Sequence, residues 1–202
     1  MMQENYIHTK TRIFNTALRL FAAEGYDKVS VRDIANAVGI KAASMYNHFE
    51  SKEKILETVY DFYTKHHHDS RLNKEQYEPI IRKGTKEEVI QALNYEYPDD
   101  IVENMIFALL IMYSRMYVDS RARDIYADEM CSAIRYLTEF FNTGIEIGRF
   151  HPFNVPAISL ICLSTRLFTA NTVALKPEQR EELRLAEIEI FGELLKIIPF
   201  KY

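Results

Sequence analysis

Apolar residues recur along the chain at spacings of three and four, and nowhere do they alternate with polar ones for long, so the pattern predicts an all-α protein. A first helix is expected from Thr9 to Glu24, with Ile13, Ala17, Leu20 and Phe21 on one face and Gly25 as its stop. Ser30 opens a short second helix, with Asp33 in capping-box position and Val31, Ile34, Ala35 and Val38 turned inward. Gly39 closes it in the left-handed conformation that a sharp corner favours. After only Gly39 and Ile40, a third helix is expected over Lys41–His48, burying Met45 and Phe49 and leaving Lys41, Ala42, Ala43, Tyr46 and Asn47 outside.

Ser51 caps a longer fourth helix running to about Arg71, with Ile55, Val59 and Phe62 on its buried stripe. The polar stretch from Asn73 to Gly84 reads as a linker, and Thr85 with Glu88 opens a helix containing Val89, Ile90 and Leu93. Tyr95 to Asp100, with Pro98, breaks that helix. Four more helices follow, at about 101–118, 123–147, 154–175 and 177–198, the last starting at a proline.

Composition narrows the function classes. The 202 residues are 48% hydrophobic and 27% charged, as in a folded protein. With 25 Lys+Arg against 29 Asp+Glu the net charge is −4, which taken whole speaks against nucleic acid as a partner. The charge is unevenly placed, however. Residues 1–55 hold eight basic and six acidic side chains, leaving 17 and 23 for residues 56–202, so the first segment carries +2 and the rest −6. No signal-peptide pattern is visible at the N-terminus, and the apolar segment 154–175 is interrupted by Arg166 and several hydroxyl residues, so no membrane span is expected and a cytoplasmic protein is. Cys131 and Cys162 are expected to be buried small hydrophobes. The run His66-His67-His68-Asp69 is expected to be a solvated face, because consecutive helical residues diverge by about 100° and cannot chelate one ion together; no metal or cofactor is expected. No Ser-His-Asp, Cys-His or metal-ligand set occurs at usable spacing, which argues against an enzyme.

Two short helices joined by a glycine corner behind a longer helix are the layout of a helix-turn-helix, whose second helix lies in the DNA major groove. Small side chains at Ala42, Ala43 and Ser44 permit close approach, and Lys41 can donate to a guanine edge or a phosphate. Helical hairpins that merely pack have the same spacing. Residues 13–56 resemble the DNA-binding domain of the TetR family of transcriptional regulators, through Ile13, Ala17, Phe21, Gly25, Tyr26, Ser30, Val31, Ile34, Ala35, Val38, Gly39, Ile40, Ser44, Tyr46, His48, Phe49, Lys52 and Leu56. The run Tyr46-Asn47-His48-Phe49-Glu50-Ser51-Lys52-Glu53 is the most specific part.

The resemblance implies a DNA-binding domain at 1–55 and a helical effector-binding and dimerisation domain at 56–202. It implies that Lys41, Ala42, Ala43, Tyr46 and Asn47 face the groove, and that Ser30, Tyr46, His48 and Lys52 clamp the DNA backbone. Ser30 and Lys52 sit at helix N-termini, where free amides favour a phosphate; His48 can equally tie the third helix to the fourth. Arg12, Arg19, Lys28 and Arg32 are weaker phosphate candidates and more ordinary as surface charges. The implied protein is a homodimer joined through the helices near 154–175 and 177–198, with Ile158, Leu160, Ile161, Leu163, Leu167, Leu185, Ile188, Phe191, Leu195 and Ile198 as apolar positions. It would bind a palindromic double-stranded operator, acting as a repressor. An unidentified small-molecule effector would lie among Met105, Phe107, Leu109, Met112, Tyr113, Met116, Tyr117, Phe140 and Phe141, and would shift the fourth helix. The same side chains also suit a plain core, and a DNA-binding regulator controlled by a protein partner fits them as well. Arg115 suits an anionic effector or an ion pair with Glu103, Asp119 or another carboxylate of the chain.

Overall fold

The computed structural model describes residues 2–67, 71–93, 100–175 and 177–197. Among them there are α-helices and one 3-10 turn but no strand, in the order α1 Met2–Glu24, α2 Val31–Val38, α3 Ala42–Met45, α4 Lys52–His67, α5 Lys74–Lys83, α6 Lys86–Leu93, α7 Val102–Arg115, α8 Ser120–Glu146, α9 Val155–Leu175 and α10 Arg180–Ile197. The fold is all-α with an N-terminal helix-turn-helix, as the periodicity predicts. No described helix is long and apolar enough to cross a membrane. The chain divides into two compact units, Met1–His67 with Pro98–Tyr126, and His68–Tyr97 with Ala127–Tyr202.

In the first unit α1 packs on α2, α4 and α7. Its buried face is Ile13, Ala17, Leu18 and Phe21; Leu18 takes the place expected of Leu20, which is half-buried. On α4 the stripe is Ile55, Leu56, Val59, Tyr60 and Tyr63, and Phe62 lies half-buried at its edge against Phe14, with ring centroids 5.3 Å apart. α2 starts as its sequence dictates. The Ser30 side chain accepts from the Asp33 amide and Asp33 accepts from the Ser30 amide, so two orphan donors are satisfied reciprocally. At the other end Gly39 has φ 79°, its amide donating to Asn36 and that of Ile40 to Ala35, a glycine stop that only a residue tolerant of positive φ makes without strain. Arg12 reaches the carbonyl of Val38 at 2.6 Å and so completes the capping of α2.

The second unit has its core in Tyr77, Ile81, Val89, Leu93, Tyr136, Leu137, Phe140, Phe141, Phe150 and Phe191. Residues 73–84 are not a linker. Asn73 forms a capping box with Gln76, and Tyr77 and Ile81, four apart, bury one face of α5. Pro79 sits in the helix interior without ending it. Thr85 and Glu88 make the capping box expected for α6. The expected break at Tyr95–Asp100 falls mostly on residues outside those described, as do His68, Asp69 and Ile198. Two further expectations are corrected. His67 is buried, its ring 5.4 Å from that of Tyr63, so the histidine run is not wholly a solvated face. Cys162 is buried as expected, but Cys131 is exposed, because α8 turns that position outward.

Candidate nucleic-acid interface

The helix-turn-helix takes its form from four buried anchors. Ile34 and Val38 fix α2, and Met45 and Phe49 fix the segment after the corner, so the intervening side chains must point away from the core. The expected third helix is shorter than Lys41–His48. Regular α-winding covers Ala42–Met45, and the bonds of Ser44 to Lys41, Asn47 to Ser44 and His48 to Met45 are of the tighter i→i+3 kind. Lys41, Ala43, Tyr46 and Asn47 are exposed on this segment, Ala42, Ser44 and His48 half-buried, and Tyr46 is 57% exposed. One continuous strip therefore carries a cation, a methyl group, a phenol and a carboxamide. Those are the groups that read guanine, thymine methyl, phosphate and adenine respectively.

The flanking residues are more committed to the domain than the sequence indicates. Lys52 donates from Nζ to the carbonyls of Tyr26 and Val29, both at 3.0 Å, and sits 4.1 Å from the centre of the Tyr26 ring. It thereby holds the turn that leads into α2, with one ammonium hydrogen left over for a phosphate. Arg115 lies against the same ring at 4.3 Å and pairs with Asp27 at 3.3 Å and Asp119 at 3.7 Å. Of the two carboxylates named for it, it takes Asp119, and Asp27 is the further one, whereas Glu103 pairs with Arg19 at 2.7 Å. Burial, followed by the neighbouring Glu53 carboxylate, pushes the Tyr26 hydroxyl up to about 12, so it stays protonated and donates to Glu53. Arg12 and Arg19 are thus occupied within the protein, while Lys28 and Arg32 are exposed. Ser30 keeps its hydroxyl on Asp33, whose carboxyl is held low by that hydroxyl and by the Ser30 amide.

His48 packs against Tyr6, with ring centroids 4.6 Å apart. Tyr6 lies upstream of residues 13–56, and its only local signal is its place one helical turn before Lys10 and two before Ile13 on α1.

The expected effector residues are divided by the fold. Met105 and Met112 are buried in the first unit, Leu109 and Met116 are half-buried, Tyr113 is exposed with its ring 5.5 Å from Tyr126, and Tyr117 is 82% exposed in the turn after α7. Phe140 and Phe141 belong to the core of the second unit.

A compact helical unit that buries two short helices and turns a polar strip outward from the second defines a helix-turn-helix DNA-binding domain. Residues 13–59 match the family model for bacterial regulatory proteins of the tetR family. Over these residues the chain is similar to the DNA-binding domain of the TetR family of transcriptional regulators. A curated relative, the biofilm operon icaADBC negative transcriptional regulator IcaR of Staphylococcus aureus, is 48% identical over 48 residues, which are 24% of this chain and 26% of that protein. The match thus spans about a quarter of that relative's length. The fold is shared more widely. The ketosteroid transcriptional regulator KstR2 of Mycobacterium tuberculosis superposes with a TM-score of 0.64 over 96% of this chain and 95% of that one, at 20% identity. A Saccharomonospora viridis regulator in complex with choline gives 0.58 over 88% and 94%, at 19% identity.

Proposed function

We propose that the protein is a repressor that binds a palindromic operator as a homodimer and is released by a small-molecule effector. The observation that carries the DNA-binding part is the exposed strip Lys41, Ala43, Tyr46 and Asn47 above buried Met45 and Phe49. Residues 1–55 serve as the reading domain, and residues 56–202 as the sensing and dimerising one. Lys41 and Asn47 reach base edges, Ala42, Ala43 and Ser44 admit the backbone, and Ser30, Tyr46, His48 and Lys52 hold phosphates. The word repressor rests on IcaR, which is described as a negative regulator.

Dimerisation is supported by apolar side chains that the chain leaves uncovered. Leu160, Ile161 and Phe168 on α9, and Leu185 and Ile190 on α10, are all exposed, with Phe168 at 69%. At about 25 cal/mol per Å2 of buried apolar surface, several such residues left in water are an incentive to pair with a second copy. Two half-sites about 34 Å apart need two reading helices, so the same pairing satisfies the operator.

The effector part rests on side-chain chemistry. Leu109, Tyr113, Met116 and Tyr117 give α7 and its following turn adaptable apolar surface with phenolic tips, above the buried Met105 and Met112. The choline held by the S. viridis relative is one precedent for a small ligand on this fold. A differential affinity of about 1–3 kcal/mol between the free and DNA-bound states weakens operator binding 5- to 150-fold.

Fluorescence anisotropy on an operator duplex tests the reading. Lys41→Ala should weaken binding to the selected sequence by about 5- to 150-fold, about 1–3 kcal/mol, while leaving random duplex nearly unaffected. Equal binding by wild type and variant would remove Lys41 from the interface. For the effector, a thermal-shift screen should yield a compound that raises Tm with concentration and lowers operator affinity; compounds that bind without changing that affinity would contradict release.

A further inference from the structure

Tyr6 lies upstream of the stretch that matches the family model, yet it touches the reading segment in two ways. Its hydroxyl donates to the backbone carbonyl of Asn47 at 3.2 Å, and its ring packs on His48 at 4.6 Å between centroids, tilted by 31°. One turn further along α1, the Lys10 ammonium lies 5.2 Å from the centre of the Phe49 ring. The first turns of α1 therefore run against residues 47–49, where the reading segment leaves its four-residue helix.

That end of the segment is where support is scarcest. The carbonyls at the end of a helix have no partner within it, and a helix of one turn has almost no cooperativity of its own. A hydroxyl on the Asn47 carbonyl restrains the peptide plane that carries the Asn47 side chain. A ring against His48 restrains the next residue. Both restrained residues flank or form the exposed strip, whereas Tyr6 itself is 43% exposed and contributes little to the core.

We infer that Tyr6 is a positioning residue for DNA recognition: it orients Asn47 and His48 at the end of the reading helix and so sets operator specificity from outside the helix-turn-helix. The inference rests on the reading above, that residues 41–48 enter the major groove. It makes no claim of direct contact between Tyr6 and DNA. Loss of the hydroxyl alone removes one hydrogen bond, worth about 0.5–1.5 kcal/mol, or two- to twelvefold in binding. Loss of the ring as well frees His48.

The test uses the full chain and a duplex enriched from a randomised pool, with a shuffled duplex as control. Tyr6→Phe should weaken binding to the enriched duplex by about two- to twelvefold and Tyr6→Ala by more, with Tm, binding to the shuffled duplex and the slope of binding against salt unchanged. Intermediate behaviour of Tyr6→Phe is the rescue by ring alone that positioning requires. Wild-type affinity in Tyr6→Ala overturns the inference. So does an equal loss on both duplexes, or a salt slope lower by about one, which would make Tyr6 a backbone contact. Lys41→Ala in the same assay separates the two levels: if it weakens the enriched duplex and Tyr6→Ala does not, only the role of Tyr6 fails. If neither does, the groove assignment fails with it.

Discussion

Asp119 accepts the amide of Ala122 at the start of α8 through one carboxylate oxygen and the Tyr60 hydroxyl, at 2.9 Å, through the other. Burial on its own would raise its pKa, but the Ala122 amide, the Tyr60 hydroxyl and the Arg115 guanidinium outweigh that and hold the carboxyl below the usual aspartate range. A folded-state pKa that is depressed gives stability that is complete above the unfolded value and is lost as pH falls through the folded one. Denaturant unfolding followed from pH 5 down to about pH 1 should therefore show a steeper loss for wild type than for Asp119→Asn, which keeps a capping oxygen without the titration. Identical acid limbs would contradict it. Lys52 joins structure to binding at the same scale. Lys52→Ala should lower Tm, by freeing the Tyr26 and Val29 carbonyls, and should flatten the salt slope by about one on any duplex. A lower Tm with the slope intact would confine this lysine to holding the turn before α2.

Helix ends carry most of what could be read at the level of elements. Ser30-Asp33 and Thr85-Glu88 each place both halves of a capping box within four residues, so α2 and α6 announce themselves locally. Gly39 and Gly148 mark stops of the same build, at φ 79° and 76°, where the amide of the next residue returns to a carbonyl five back. α5 escaped because its stretch is mostly polar, contains Pro79, and offers only Tyr77, Ile80 and Ile81, a single turn of apolar period. The packing of α7 on α1 and α4 left no local trace, and neither did the pairing of Arg12 with Val38, of Arg115 with Asp27 or of Lys52 with Tyr26 and Val29, which lie 23 to 88 residues apart. In the reading segment the exposed residues were legible from the buried ones, but the support from Tyr6 was not, since it depends on where α1 passes. Glycine substitutions test this scale. Around Gly39 and Gly148 an added Cβ meets nothing within 4 Å, so alanine at either costs only the left-handed backbone, about 1–2 kcal/mol. At Gly144 an added Cβ would lie 2.0 Å from the Phe150 ring. Gly144→Ala should destabilise by about 1–3 kcal/mol through forced repacking, and wild-type stability in urea unfolding would show that the ring moves freely.

For the whole molecule the net charge of −4 conceals a first segment at +2 and a remainder at −6. The acidic remainder repels DNA while the mildly basic first segment attracts it, so the charge favours contact through residues 1–55. The uncovered apolar residues of α9 and α10 belong to the same scale. Phe168→Glu should convert a dimer to a monomer in sedimentation and abolish tight operator binding while the monomer stays folded; a Phe168→Glu chain that remains dimeric would move the interface elsewhere. The central claim, that two copies of this chain read a symmetric site through residues 41–47, is tested most directly by selection from a randomised duplex pool with the full chain, followed by measurement of binding stoichiometry. The account predicts an inverted repeat with half-site centres about one helical turn apart and two chains per duplex. Enrichment of an asymmetric site held by a single chain, or no sequence preference over random duplex, would contradict it.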